Sequence, residues 1–417
     1  MSNRSMTSQN PSWNILKQHQ NDITSGFSTP CYVYNDGIIR QRVQLLQSHF
    51  AERFTLNYAI KANPNHSLLE IYNELIGWFD ASSIGEVHRA IKAGVKAENI
   101  SFTGPAKKET EIESAIKHGI GALIIESLRE AELAAEICRK RDQQQTVLIR
   151  INPQKTPKSF TAKMTGKASQ FGIDEDQLES TIQSIAKLPE LRLDGFHIYS
   201  GSNCLSAEDI ADNFRIMLDT FERASTLADI SPKRLIFGAG FGVPYYTRDN
   251  DLDIQTTADL INPMIDEFKS SPQFRETHCS IELGRWLIAP CGLLLSTVVS
   301  AKDTNDCSIR LCDAGFNNHL AACGLMGTVI RRNWDIENLS NNNGETKKYT
   351  LVGPLCTSID LIASDITLPE TNTGDILAIH NSGAYGYTAS PINFISHPTP
   401  AEILIKNSAL VDISMQL

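Results

Sequence analysis

A regular alternation of short apolar runs and longer amphipathic runs limits the possible folds of this 417-residue chain most strongly. The runs between the strand-length segments, such as SLLEIYNELI and KETEIESAIKHG, have the periodicity of helices. Eight strands separated by helices predict an α/β fold, a (β/α)8 barrel. A doubly wound sheet is the alternative, because periodicity does not show whether a sheet closes. The eight predicted strands are FTLNYAI (54–60), IGWFDA (76–81), NISFTG (99–104), GALIIES (121–127), TVLIRIN (146–152), LDGFHIYS (193–200), RLIFGAG (234–240) and SIELG (280–284).

After about residue 290 the pattern changes to strands with few helices between them. The strand-like runs are GLLLSTVVSAKD, SIRLCDAG, KKYTLVG, DILAIHNSG and AEILIKN. We therefore predict a barrel over 35–288, a mostly β domain over 289–417, and an N-terminal segment, 1–34, that packs with the β domain. The Asn-rich stretch ENLSNNNGETKK (337–348) predicts an exposed loop.

Charge and cysteine content exclude several classes of protein. A net charge of −10 argues against nucleic acid or an anionic membrane as the main partner. The first residues, MSNRSMTSQNPSWN, have no apolar core and so do not predict a signal peptide. The nine cysteines include no CxxC pair, which favours reduced thiols in a cytoplasmic protein over disulfides or a metal site.

Polar residues gather where the predicted strands end, which is where barrels carry their chemistry. Lys61 closes the first strand and is followed at once by Asn63-Pro64. Glycine-rich FGAGFG follows the seventh strand, and the eighth leads into Glu282 and Arg285. Other strand ends carry Asp80, Ser82, Ser83, Arg150, Asn152, His197, Tyr199, Ser202 and Asn203.

These strand ends have the features of a phosphate site with a reactive amine. Glycines let backbone N–H groups approach an anion, and Arg285 adds a fixed charge. A lysine facing that site is either a counter-ion or an amine that forms an imine with a phosphate-bearing aldehyde, pyridoxal phosphate. Glu282 would then keep the pyridine ring protonated; its alternative is a structural ion pair with Arg285.

The motifs, taken in order, resemble those of the fold-type III pyridoxal-phosphate decarboxylases, the family of diaminopimelate and ornithine decarboxylases. The resemblance covers roughly residues 30–410 and implies a head-to-tail homodimer with shared active sites. The motifs are closest to the biosynthetic branch that contains the butirosin-pathway decarboxylase of a carrier-bound glutamyl group. The matching stretches are YAIKANPN, FDASSIGEVHRA, FTGPAKKETEI, SQFGID, GFHIYSGSN, FGAGFG, IELGRWLIAP, CDAGFNNHL, VGPLCTSID and GAYGY.

The resemblance implies a role for each matching residue. Lys61 corresponds to the lysine that forms the imine, and Glu282 to the partner of the pyridine nitrogen. Cys356 corresponds to the cysteine that crosses the dimer interface and protonates the α-carbon after CO2 leaves. Tyr199 replaces the family's ring-stacking histidine, with His197 two positions earlier. The remaining residues implied to bind the cofactor are Ser202, Gly238, Ala239, Gly240, Gly284, Arg285 and Tyr385.

The departures from the family concern the substrate. Thr357 stands where diaminopimelate and ornithine decarboxylases carry an acidic residue that recognises a distal ammonium. Ala321-Ala322 replaces an Arg-Pro pair. A free diamino substrate is therefore disfavoured, and the sequence predicts an α-decarboxylase of an amino acid or amino-acyl conjugate, either carrier-bound or a siderophore or natural-product intermediate. The predicted substrate-facing residues are Thr357, Asp360, Asn317 and His319.

Three alternatives remain open. Diaminopimelate decarboxylase itself would make lysine on the same barrel. An amino-acid racemase would typically pair the lysine with a tyrosine and place an arginine at the pyridine nitrogen, so Glu282 and Cys356 favour decarboxylation. A cofactor-binding regulatory protein would bind pyridoxal phosphate without turnover, but small proteins of that kind lack a C-terminal β domain.

Overall fold

A computed structural model describes residues 25–155, 169–304, 307–326, 331–341 and 343–415, together with positions 13, 16, 19, 22, 23, 162 and 163. Most of the predicted N-terminal segment before residue 25 therefore lies outside the described residues. The chain divides into two compact units. The barrel unit comprises Val43–Gly242 and Leu252–Gly284, and the β unit comprises Met1–Arg42, Val243–Asp251 and Arg285–Leu417.

The strands and helices are numbered along the described chain. The strands are β1 (Cys31–Asn35), β2 (Phe54–Ala59), β3 (Trp78–Ala81), β4 (Ile100–Phe102), β5 (Ala122–Ile125), β6 (Gln145–Asn152), β7 (Ala162–Lys163), β8 (Ile173–Asp174), β9 (Leu191–Tyr199), β10 (Gly201–Ser202), β11 (Arg234–Gly238), β12 (His278–Leu283), β13 (Gly292–Asp303), β14 (Ser308–Cys312), β15 (Ile336–Asn338), β16 (Thr346–Val352), β17 (Leu361–Pro369), β18 (Ile376–Ile379), β19 (Ala401–Lys406) and β20 (Ala409–Asp412). The α-helices are α1 (Asp36–Phe50), α2 (His66–Leu75), α3 (Ile84–Lys92), α4 (Glu109–His118), α5 (Leu128–Lys140), α6 (Leu178–Ile185), α7 (Ala207–Ala228), α8 (Ile254–Ser270) and α9 (Arg285–Ile288).

The barrel unit closes on itself. Its parallel strands follow the order β5-β4-β3-β2-β12-β11-β9-β6, and β6 pairs back with β5. This last pairing confirms the predicted (β/α)8 barrel and excludes the open doubly wound sheet. Strands β3, β4 and β5 are buried at every residue, as expected when side chains fill the barrel and helices cover its outside.

Local sequence fixes where the barrel helices begin. Ser83 accepts a hydrogen bond from the N–H of Glu86 at the start of α3, and Ser127 accepts one from Glu130 at the start of α5. Both follow the S-x-x-E pattern of a helix N-terminus. At α2 the side chain of Asn65 accepts from the N–H of Ser67. Each helix therefore starts within a few residues of the preceding strand end.

The β unit is built on one mixed sheet. Its main order is β17-β16-β14-β13-β1-β19-β20, and β18 joins β13 to β15. The predicted mostly β domain is thus confirmed, with β1 from the N-terminal side lying between β13 and β19. No helix among the described residues is long and apolar enough to cross a membrane.

The predicted exposed loop at 337–348 is wrong at both ends, since residues 346–348 belong to β16. Residues 336–338 form β15, and Asn338 is buried. Its amide donates to Thr371 Oγ1 at 3.1 Å and to Asp375 Oδ2 at 3.0 Å. Asn338 is buried because these partners satisfy its polar group, which composition alone does not reveal.

Candidate active site

Lys61 lies in the turn that joins β2 to α2. The strand ends at Ala59, two residues before Lys61, and residues Ile60–Ala62 form one 3₁₀ turn. Tyr58 donates from its hydroxyl to the carbonyl of Asn63 at 3.0 Å. The side chain of Asn63 accepts from the N–H of Asn65 at 3.1 Å. These bonds fix the turn on both sides of the lysine, so its backbone position is set by the sequence around it.

Glu282 brings the predicted lysine together with His197. Glu282 Oε1 lies 3.8 Å from Lys61 Nζ, and Oε2 lies 3.0 Å from His197 Nε2. The side chains of Glu282 and His197 are 1% and 2% exposed, whereas that of Lys61 is 34% exposed. Glu282 and His197 are thus buried next to an amine that solvent or a ligand can still reach.

Electrostatics set the charge of this pair. Burial opposes ionisation of Glu282, but the nearby His197, Lys61 and Arg150 outweigh it and lower the pKa of Glu282 to about 2. Burial lowers the pKa of His197 below its ordinary value, so its ring is neutral at pH 7. A neutral imidazole protonated at Nε2 still presents an N–H to the carboxylate.

Asp80 is a further buried carboxyl group, for which the sequence predicts a strand-end position but no role. It lies on β3, and its Oδ1 accepts hydrogen bonds from Thr103 and, at 3.0 Å, from Ser101. Burial and the negative charge of Glu282 raise the pKa of Asp80 to about 8, despite Lys61 and the two hydroxyls. Asp80 is therefore largely protonated at neutral pH. The sequence signal was an aspartate inside the apolar run WFDA, with hydroxyl residues on the next strand.

Arg150 and Glu126 form a buried ion pair beside this cluster. Arg150 Nη1 lies 3.1 and 3.2 Å from the two oxygens of Glu126. Glu126 also accepts from the N–H groups of Gly104 at 2.8 Å and Gly172 at 3.0 Å. The pair is neutral overall, with its positive member, Arg150, on the strand next to His197.

The glycine loop and the Ser202 loop are joined by backbone hydrogen bonds. Cys204 donates to the carbonyl of Gly240 at 3.0 Å, and Gly242 donates to the carbonyl of Cys204 at 2.7 Å. Gly240 has a φ of 68°, a backbone conformation that favours glycine. Ser202 is buried, and Ala239 donates to the carbonyl of Glu282 at 3.4 Å. The loop after Ser202 and the glycine loop therefore lie together at the end of β11.

Two glycines allow close approach of the backbone to the predicted ring site. A Cβ atom on Gly238 would lie 2.4 Å from Cδ2 of Tyr199, and one on Gly284 would lie 2.9 Å from Cβ of Ala62. Lys61 Nζ is 5.1 Å from the centroid of the Tyr199 ring, within the range of a cation–π contact. Tyr199 is thus the aromatic face next to Lys61, whereas His197 lies against Glu282.

Arg285 and Tyr385 meet in the β unit. Arg285 donates to the hydroxyl of Tyr245 at 2.7 Å, and its guanidinium carbon is 4.8 Å from the centroid of Tyr385. Trp334 stacks on Tyr245 with ring centroids 4.2 Å apart. Tyr385 has a φ of 54°, so its backbone is in the left-handed region. The predicted cation and tyrosine therefore form one aromatic cluster.

Cys356 lies on an exposed loop of the β unit that Asp360 holds in place. Cys356 is exposed and Thr357 is half-buried. Asp360 is 4% exposed, and its two oxygens accept from the N–H groups of Phe316 at 2.9 Å and Leu355 at 2.8 Å. A Cβ on Gly353 would lie 2.3 Å from Asp360 Oδ2. These contacts show that Asp360 holds the loop, and its contact with substrate stays a prediction.

Asn317 and His319 are buried in the β unit. The amide of Asn317 has no hydrogen-bond partner among the described residues, and the residue lines a cavity of about 590 Å³ together with Pro354 and His397. His319 Nδ1 accepts from the N–H of Ala322 at 3.3 Å, and its ring packs edge-on against Trp334. Burial lowers the pKa of His319 to about 3, so its ring is neutral. The structure thus gives Asn317 access to a cavity and His319 a packed aromatic environment.

The barrel residues fit pyridoxal phosphate. Several buried polar atoms at this end of the barrel have no hydrogen-bond partner in the described chain, namely Glu282 Oε2, both ring nitrogens of His197 and Asp80 Oδ2. Buried polar groups of this kind need a partner, and a polar ligand is one way to supply it. The carboxylate suits a pyridine nitrogen, the amine an aldehyde, and the glycine loop a phosphate.

The family model for the pyridoxal binding domain of pyridoxal-dependent decarboxylases matches residues 36–289. The chain belongs to this family. This decarboxylase therefore uses pyridoxal phosphate, and the residues described above lie within or directly after the matched range, apart from those of the β unit.

Known proteins of this family are similar over nearly the whole chain. The decarboxylase is 32% identical over 391 residues to the L-glutamyl-[BtrI acyl-carrier protein] decarboxylase of Niallia circulans, covering 93% of this chain and 91% of that one. It is 26% identical to the 2-[(L-alanin-3-ylcarbamoyl)methyl]-2-hydroxybutanedioate decarboxylase of Staphylococcus aureus, covering 90% and 93%. The diaminopimelate decarboxylase structure from M. jannaschi superposes with a TM-score of 0.86 at 26% identity, covering 94% and 91%.

Proposed function

We propose that this decarboxylase removes the α-carboxylate of an amino-acyl conjugate, such as a glutamyl group bound to an acyl carrier protein. The observation that carries the proposal is the Cys356 loop, where an exposed thiol is followed by the uncharged Thr357. A tethered or amide-linked substrate has no distal ammonium to be recognised, so it needs no acidic residue there. The names of the Niallia and Staphylococcus relatives both describe conjugates, which supports the same substrate class.

Glu282 and Lys61 would be the catalytic residues of the barrel. The cofactor, when bound, supplies a protonated pyridine ring that accepts the electron pair left at the α-carbon as CO2 departs. Glu282, ionised in its buried position, would keep a negative charge beside the pyridine nitrogen. Lys61 would supply the amine that holds the cofactor, and its Nζ would give up and regain a proton as substrate enters and product leaves.

Cys356 would replace the lost carboxylate with a proton. The step breaks the bond between the α-carbon and the carboxylate, releases CO2, and forms a C–H bond with the proton of the thiol. The thiolate then takes a proton from solvent, so one proton is consumed for each CO2 released. Because Cys356 is exposed on the β unit, we propose that it acts in the barrel of a second copy of the chain.

A CO2-release assay tests the substrate class. The purified enzyme, loaded with pyridoxal phosphate, is given free L-glutamate, glutamyl-carrier protein, an amide conjugate of citrate, and meso-diaminopimelate. We expect turnover of a conjugate and at least about a hundredfold lower kcat/KM for the free amino acids. Turnover of meso-diaminopimelate at a higher kcat/KM than every conjugate would overturn the proposal.

Diaminopimelate decarboxylation remains the second candidate, because the diaminopimelate decarboxylase structure from M. jannaschi superposes over most of the chain. Loss of α-centre chirality without CO2 release would instead indicate a racemase. Chiral chromatography of the same reaction mixtures separates that outcome from decarboxylation.

A further inference from the structure

The two oxygens of Glu282 have different neighbours. Oε1 lies 3.8 Å from the amine of Lys61, and Oε2 lies 3.0 Å from Nε2 of His197. The histidine and the glutamate come from β9 and β12, the two strands that flank β11. Their contact is therefore fixed by the strand order of the barrel and not by a loop.

Burial lowers the pKa of His197 below its ordinary value, although the carboxylates of Glu282 and Glu126 favour the cation. Arg150 lies opposite His197 in the pairing of β6 with β9, and Arg150 is itself paired with Glu126. A positive charge on this ring would be costly because its side chain is 2% exposed and because Arg150 is nearby. The ring therefore carries one proton, and that proton can lie on either nitrogen.

The contact with Glu282 determines which ring nitrogen of His197 carries the proton. If Nε2 carries the proton, an N–H faces the carboxylate; if Nδ1 carries it, a lone pair faces a negative charge 3.0 Å away. Only the first arrangement is attractive. Neither nitrogen of His197 has an aligned hydrogen bond within the described residues, so a small rotation of either side chain is needed to point the N–H at Oε2.

We propose that His197 is a positioning residue: its neutral, Nε2-protonated ring holds one oxygen of Glu282 so that the carboxylate faces the pyridine nitrogen of the cofactor. The proposal rests on the role of Glu282 in the proposed function. It separates His197 from the ring-stacking position, which Tyr199 occupies beside Lys61. It also explains why a histidine stands inside the barrel with a glutamate as its close polar neighbour.

Cofactor affinity of the apo protein provides the first test. His197→Gln keeps an N–H donor and His197→Leu removes it. We expect the Kd for pyridoxal phosphate, from equilibrium dialysis, to rise at least about tenfold in His197→Leu and less than about threefold in His197→Gln. Equal increases in the two variants would indicate lost packing and would overturn the proposal.

A double-mutant cycle with Glu282→Gln shows whether the effect passes through the glutamate. In the Glu282→Gln background, His197→Leu should change the Kd by less than about twofold. An undiminished tenfold effect there, or a Kd of Glu282→Gln equal to that of the wild type, would overturn the proposal. Absence of CO2 release from every substrate tested would count against the substrate class and would leave these Kd differences as they are.

His380 offers a matched control, since it too is a buried histidine near a glutamate. His380 Nε2 lies 3.4 Å from Glu337 Oε2 in the β unit. His380→Leu and His380→Gln should leave the Kd within about twofold of the wild type, with thermal unfolding used to confirm that all variants fold.

The wild-type protein gives a readout that needs no stable variant. In ¹⁵N-histidine-labelled protein, with the signal assigned by its loss in His197→Gln, the ring of His197 should show a neutral Nε2–H tautomer from pH 7 to 8. A cationic ring or an Nδ1–H tautomer in that range would overturn the proposal.

Discussion

The barrel unit and the β unit carry their candidate residues in opposite ways. In the barrel, Glu282 and His197 are almost completely buried and come from strands of one closed sheet. In the β unit, Cys356 is exposed on a loop that depends on the side chain of Asp360. The barrel group is therefore set by the fold itself, whereas the thiol is set by a few local bonds. We therefore expect substitutions in the barrel group to abolish activity and substitutions in the Cys356 loop to lower it by different amounts.

The largest effect is expected at the barrel lysine. Lys61→Ala should bring activity below detection and remove the visible absorbance of the bound cofactor, because no other amine is placed beside Glu282 among the described residues. Lys92→Ala, on an exposed position of the same unit, is the control. A Lys61→Ala enzyme with an unchanged spectrum would contradict the assignment.

Replacement of the thiol should leave the cofactor bound. Cys356→Ala should lower kcat by about 10²- to 10⁴-fold, the usual range for a lost proton donor, without changing the absorbance. Cys307→Ala, at a half-buried cysteine of the same unit, is the control. A Cys356→Ala enzyme with wild-type kcat would remove the thiol from the mechanism.

Mixing the two inactive variants asks whether the site is shared between copies. Random mixing gives one intact site in each heterodimer, so Lys61→Ala with Cys356→Ala should recover up to about a quarter of wild-type activity. Mass in solution should show a dimer. Failure to recover activity in mixtures that do form heterodimers would place both residues in the same chain's site.

The loop itself should respond to Asp360. Asp360→Asn places an amide N–H₂ against the backbone N–H of Phe316 or Leu355, which should cost about 1–3 kcal/mol locally. We expect faster hydrogen exchange over residues 353–360 and a partial loss of kcat, with the cofactor absorbance unchanged. The exposed Asp365→Asn is the control. Unchanged exchange would show that the carboxylate does not hold the loop.

The smallest effect is a change in the pH dependence of stability. Burial lowers the pKa of His319 from 6.5 to about 3, so below pH 6.5 the unfolded chain takes up a proton that the folded chain does not. The free energy of unfolding should therefore fall as the pH drops, by up to about 1.4 kcal/mol per pH unit from this residue. His319→Gln should reduce that slope, and exposed His278→Gln should not. The free energy of unfolding is measured by urea titration at several pH values. Equal slopes against pH for His319→Gln and the wild type would contradict this prediction.

Much of the barrel could be predicted from sequence, because its strands are short apolar runs that alternate with helices. Closure of the barrel could not be predicted, since the pairing of β5 with β6 leaves no periodic signal in the sequence. Strand β17 was missed because Asp365 interrupts its apolar run with a φ of 51°. Strand β15 was missed because it lies in an Asn-rich stretch whose polar groups find buried partners.

A candidate site residue could be predicted from the sequence where its neighbours in the chain identify it. Lys61 and the glycine loop stand next to turn residues, and Glu282 ends a strand. The contact of His197 with Glu282 and the protonated state of Asp80 depend on strands brought side by side by the barrel. These two properties depend on the register of the sheet, so they cannot be predicted from a local sequence pattern.

Cys356 also determines how the protein responds to thiol reagents. Of the nine cysteines, seven are buried, Cys307 is intermediate and Cys356 is exposed. A maleimide at one equivalent should therefore modify Cys356 before the others, so the loss of activity would titrate with a single alkylated thiol. The same exposure makes the proposed proton donor the first cysteine open to oxidants, and the rate of its alkylation becomes a direct measure of whether a second copy of the chain covers it.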